Sequence, residues 1–152
     1  MSDKKLGIHN LDPIMEFESE EQLQSCIEEW KKVLFLQDWI IKGKLVDELY
    51  GDGGEELAGN NSFQITNKCG LIQIVRANED FKSRIVKYCA EATLVHELLH
   101  CKYNWTSKSS DSIEYAYFDN LEHSLIEQMA KSLIMTKYNL PFEWFQNFLS
   151  SK

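Results

Sequence analysis

"AEATLVHELLHC", residues 90–101, is apolar nearly all round, and such a helix belongs at the centre of a domain, buried on several sides. It predicts a central helix within a longer helical pattern, residues 79 to 103, for which Asn78 would serve as a cap. Its few polar residues are ordered. His96 and His100 stand four apart, so a helix turns both imidazoles to one side, and Glu97 lies about 100° round from His96. This is H-E-x-x-H: two histidines hold one tetrahedral zinc ion, and the glutamate reaches the metal-bound water as general base without being a ligand. The alternative is a buried helix whose histidines are satisfied by neighbours. Against it, two imidazoles and an acid in apolar surroundings all need partners, and one metal ion serves all three.

A catalytic zinc takes a third protein ligand and keeps one position open. The next helical pattern, from about Ile113 to Tyr138, supplies Asp119, Glu122, His123 and Glu127. Glu127 interrupts the apolar run "SLIEQMAKSLI" between Ile126 and Ala130, which directs its carboxylate inward and makes it the expected third ligand. Its alternative is an exposed charge paired with Lys131 at i+4. His123, one turn earlier on the same face, fits three roles: ligand in place of Glu127, partner of a ligand, or catalytic donor to an oxyanion.

Upstream, Ser19 with Gln22 three residues on opens a helix to about Leu36, with Leu23, Ile27, Trp30 and Leu34 at helical spacing. "DWIIKGKLV" then alternates, placing Trp39, Ile41, Gly43 and Leu45 on one side of a strand. "YGDGGEELAGN" reads as a connector, and "SFQIT" and "GLIQIVRA" as a hairpin closed by "NKCG". Downstream, Leu121, Leu125, Met129 and Leu133 form one stripe and Ile126, Ala130 and Ile134 an adjoining one; Pro141 ends that helix before a short closing helix, "FEWFQNFL". The expected class is α+β: a small, mostly antiparallel sheet of about three strands packed on the H-E-x-x-H helix and flanking helices. Residues 1–18 read as an irregular segment and 19–152 as one domain.

A chain of 152 residues, 43% hydrophobic, buries a sufficient core without disulfide or metal staples. It has no apolar run long enough for a membrane span and no signal-type start, so a cytoplasmic location is expected. The four cysteines are scattered without a C-x-x-C pair and read as reduced, buried thiols. A net charge of −8 opposes binding to nucleic acid, and the local basic spots, Lys42 with Lys44 and Lys82 with Arg84 and Lys87, read as solvated faces.

"HELLH" followed on the next helix by Glu127 resembles the zincin metallopeptidases, in the minimal gluzincin-like arrangement where a downstream glutamate is the third ligand. The order of elements is similar to that of short metallopeptidase-like proteins of bacterial prophages and mobile elements, including ImmA/IrrE-type peptidases. "HCKYNW" lacks the metzincin continuation, and Lys131 stands where ImmA/IrrE-type sequences carry asparagine. The resemblance implies a zinc peptidase with Zn2+ on His96, His100 and Glu127, Glu97 as base, and a peptide or protein substrate paired along the strand around Leu71 to Arg76. The other readings are a regulatory protein of a phage or mobile element that keeps the zinc site, and a zinc hydrolase of non-peptide amides. An intact Glu97 favours an enzyme, since a structural zinc fills all four positions and uses no base.

Overall fold

Ser19 starts the first element as its sequence requires: its hydroxyl accepts from the Gln22 N–H while Gln22 returns a bond to the Glu18 N–H. The computed structural model describes residues 12–76, 87–103 and 113–146, with every side chain in them but that of Tyr115. Helix α1 spans Glu20–Val33, strand β1 Ile40–Val46, β2 Gly59–Gln64, β3 Cys69–Val75, helix α2 Ala90–Lys102 and α3 Ile113–Tyr138, followed by a 3-10 turn, Phe142–Phe145. The class is α+β. Asn78, residues 79–86 of the expected long helix, and Lys82 and Arg84 lie outside the described residues.

α1 ends at a turn that leaves the helix sharply. The Leu36 N–H bonds the Lys31 carbonyl and the Phe35 N–H that of Lys32, with Phe35 in the left-handed region at φ 59°. This is the helix-ending arrangement in which glycine is usual. It sends Leu34 and Leu36 inward and leaves Phe35 76% exposed.

β1 alternates as its pattern demands, with Ile41, Gly43 and Leu45 buried. Gly43 is where α1 rests on the sheet: a Cβ there would stand 2.7 Å from Ile27 Cδ1. α1 also covers the strand's outer edge, since Gln24 donates to the Ile41 carbonyl and accepts from the Gly43 N–H, and Glu20 accepts from the Leu45 N–H. An edge strand is thereby protected by side chains.

The strand order is β1-β3-β2. β2 and β3 form the expected antiparallel hairpin, but β1 pairs with β3 in parallel, so the sheet is mixed rather than mostly antiparallel. β3 has a neighbour on each side, so the strand around Leu71 to Arg76 offers no edge for an extended substrate; β2 forms the second edge. The core lies between sheet and helices, with Leu23, Ile27, Ile72, Leu94, Leu98 and Ile134 fully enclosed. Residues 12–18, the described part of the segment before Ser19, form no helix or strand, yet Phe17 is buried in that core. Among the described residues no helix is long and apolar enough to cross a membrane, and Cys26, Cys69, Cys89 and Cys101 are all free thiols.

Candidate metal centre

α2 begins later than the periodicity suggests because its cap comes from elsewhere in the chain. Cys89 is extended, at φ −145°, and provides no side-chain cap. The Ala90 and Glu91 N–H groups bond instead to the carbonyls of Met15 and Ile14, at 3.1 and 3.0 Å. Two of the orphan donors at the helix start are thus satisfied by a strap of N-terminal chain. Glu91, wholly buried, locks the joint. Its carboxylate accepts from the Ile14 N–H at 2.9 Å, the Trp30 indole at 2.8 Å, Lys137 Nζ at 3.0 Å and the Tyr138 hydroxyl at 2.7 Å. A buried carboxylate is stable only when so satisfied. The result is a helix fixed at its start by α1, α3 and the strap together.

One turn further along α2, His96 and His100 turn to the same side. Their Nε2 atoms stand 3.2 Å apart. Two nitrogens at ~2.0–2.1 Å from one tetrahedral zinc would stand about 3.3–3.4 Å apart. The outer nitrogens rest on α3: His96 Nδ1 donates to Glu127 Oε1 at 2.9 Å, and His100 Nδ1 faces Glu122 Oε2 at 3.4 Å. His123 adopts the same posture, with Nδ1 2.9 Å from the Asp119 carbonyl and 3.4 Å from its carboxylate. Its ring centroid lies 4.8 Å from that of His100 and 6.3 Å from that of His96. Three rings therefore cluster, each with Nδ1 on an acidic residue and Nε2 as its remaining nitrogen.

Among the described residues no group of three or more His, Cys, Asp or Glu side chains already stands gathered for an ion. The bonding explains this: Glu127 and Glu122 are engaged at the far side of the histidine rings, which leaves a pair of converging donors, His96 and His100. Glu127 reaches the outer nitrogen of His96 and also lies 3.3 Å from Lys131 Nζ, with 48% of its side chain exposed, so it makes the i+4 pair with Lys131 while it holds the histidine from behind. The chemistry of the donor set, two converged imidazoles with carboxylates behind them, fits zinc.

The charges divide the pair. Burial alone would lower the His96 pKa, but the bond to Glu127 and the charges of Glu97 and Glu127 raise it above the usual value. Burial, with the charges of His96 and His123, depresses His100 to about 4. Of the two rings, His96 is therefore the one that holds an added proton more readily and His100 the one that gives it up.

Compared with protein-family models, curated proteins and solved structures, the chain matches none. The site therefore stands on its own geometry.

Glu97 lies where the motif puts it, only 7% exposed, with its carboxylate accepting from Asn61 Nδ2. Burial raises its pKa, against the bond from Asn61 and the nearby His96 and His123. Asn61 escaped the sequence analysis, which began β2 at Ser62. Its signal was a polar residue in the inward register of a strand, opposite buried Ile72. β2 comes so close to α2 that a Cβ on Gly59 would meet Thr93 Cγ2 at 2.8 Å. Beside His96, Glu97 and Glu127 opens a cleft of about 380 Å3, walled by Gly59 of β2, Lys131 of α3 and Phe145 of the closing turn.

Proposed function

We propose that the protein is a zinc-dependent peptidase. The observation that carries this reading is the convergence of His96 and His100 at 3.2 Å between Nε2 atoms, with Glu97 on the same helix facing a cleft. His96 and His100 would hold the ion, and α3 would supply the third ligand. Sequence alone pointed to Glu127; the arrangement of the rings favours His123, because Glu127 is engaged at the outer nitrogen of His96. In that reading Glu127, Glu122 and Asp119 orient the three imidazoles, as carboxylates commonly do behind metal-ligating histidines.

A zinc ion bound there supplies a Lewis acid and a water of lowered pKa. Glu97 takes the proton from the attacking water and returns it to the leaving amine, a role helped by a carboxylate whose pKa is raised by burial. Asn61 holds one Glu97 oxygen and leaves the other for the proton. β2, the edge strand beside the cleft, is the element suited to pair an extended peptide.

The test is hydrolysis of a mixed peptide library by zinc-loaded protein, with a chelated control and with Glu97→Gln. Chelator-sensitive cleavage lost in the variant supports the reading; a zinc-loaded protein that binds the metal and cleaves no peptide, while hydrolysing small non-peptide amides, transfers it to the amide hydrolases.

A further inference from the structure

Residues four apart on a helix form a row, and α3 has four such rows. One is buried on the domain through Ile126, Ala130, Ile134 and Tyr138. The row beside it carries His123 and Glu127. The other two face away: Ile113, Tyr117, Leu121, Leu125, Met129 and Leu133 in one, Ala116, Asn120, Ser124, Gln128, Ser132 and Thr136 in the next. All but half-buried Leu133 are exposed, and none of these twelve is charged; the one charge in the two rows is Lys137, next after Leu133 in the last turn and already bound to Glu29 and Glu91. Charged residues make up 26% of the chain, so a solvated face of this size ordinarily holds about three. Absence of charge beside exposed Tyr, Leu and Met is the composition of an interface centre.

The start of the helix adds a second observation. None of the described side chains from Ile113 to Leu121 is buried; the first buried residue is Glu122. Helical turns with so little burial are marginal in water, so a partner over the described side chains of this stretch would stabilise it.

The charge pattern selects that partner. A lipid surface or nucleic acid would be met by Lys and Arg, and a partner recognised by its charge would be met by the opposite sign; from Ile113 to Thr136 the face has neither, and Lys137 at its end is taken up by Glu29 and Glu91. Two copies of a chain of net charge −8 repel over most of their surfaces and approach at least cost through a face without charge. The row of large apolar side chains lies beside a row of mostly small ones, so the ridge of one helix fits the groove of the other across a two-fold axis. The patch also continues past Leu133 and Thr136 into a hollow of about 270 Å3 lined further by Val33 and Trp30 and by the paired Glu29 and Lys137. Its exposed side chains together offer on the order of 600–800 Å2, near what one partner buries in a standard interface.

We infer that the protein is a two-fold dimer in which α3 pairs antiparallel with α3 of a second copy through Tyr117, Leu121, Leu125 and Met129. The pairing does not depend on the zinc reading. Sedimentation equilibrium of the full chain should give twice the 17.8 kDa chain mass at micromolar concentration. Ser124→Glu and Gln128→Glu, both exposed substitutions that set like charges across the axis, should each weaken dimerisation at least tenfold with an unchanged circular dichroism spectrum. Gln37→Glu, an exposed change on another part of the surface, should leave it intact. A wild-type protein that stays monomeric up to about 100 μM, or Glu variants that dimerise as tightly as wild type, overturns the inference.

Discussion

His96, His100 and His123 each rest Nδ1 on an acidic residue, and that posture decides what single substitutions should do. If Glu127 orients His96, Glu127→Ala costs about 10–100-fold in zinc affinity, as removal of an outer partner does, and His123→Ala costs more. The reverse order by competition with a chromogenic chelator would make Glu127 the ligand. Glu97→Gln removes a base and no ligand, so hydrolysis should fall by roughly 10²–10⁴-fold with zinc content unchanged; metal loss in that variant would contradict the role. The pair also sets a pH dependence for the metal-free protein. His100, depressed by burial to about 4 from its ordinary 6.5, resists protonation when folded, so its contribution is present above 6.5 and lost as pH falls toward 4. His96, raised above 6.5, contributes below that value and loses its contribution as pH rises through its folded pKa. Metal-free stability should therefore pass a maximum near pH 6.5 in urea titrations, and His96→Gln/His100→Gln should flatten it. Which ring nitrogen faces which acid was not legible in the sequence, because spacing on a helix gives the side a histidine takes and not its rotation about χ2.

At the scale of elements, α1, the three strands and α3 were readable because their apolar residues repeat at 3.6 or 2. The parallel pairing of β1 with β3 was not, since nothing local in "DWIIKGKLV" tells on which side of a hairpin it docks. Nor was the start of α2: the pattern runs unbroken through residue 89, and the cap lies at Ile14 and Met15, some 75 positions earlier. The stripe Leu121, Leu125, Met129 was correctly seen as apolar, yet it faces outward. Two substitutions test these joints. Phe35→Gly should stabilise the protein by about 0.5–1 kcal/mol, because an exposed aromatic side chain gives up little while a left-handed residue loses its Cβ clash; a fall in urea midpoint would show that the ring packs after all. Glu91→Ala strands the Ile14 N–H, the Trp30 indole and the Tyr138 hydroxyl at once, leaves Lys137 with Glu29 alone, and should cost about 3–5 kcal/mol. An unchanged midpoint would mean that the strap and α2 hold each other by backbone bonds alone.

For the whole molecule, net charge and size set what it engages. At −8, binding to random duplex DNA at physiological salt should be undetectable at micromolar protein; tight, salt-sensitive binding lost on neutralising Lys82, Arg84 and Lys87 would refute this. A cleft of about 380 Å3 offers few subsites, so an unselected protein such as casein should be cut slowly and one docked partner efficiently. Rapid cleavage of many unrelated peptides would count against that restriction. The N-terminal strap has a further consequence, one of timing. The first turn of α2 receives its cap only when residues 14 and 15 meet residues 90 and 91, among the longest closures in the chain, and loops of that length form late because their entropy is lost before any contact compensates. Refolding should therefore show the β2–β3 hairpin first and the histidine pair last, so that a metal added at the start of refolding finds no site until the two ends of that long loop have met.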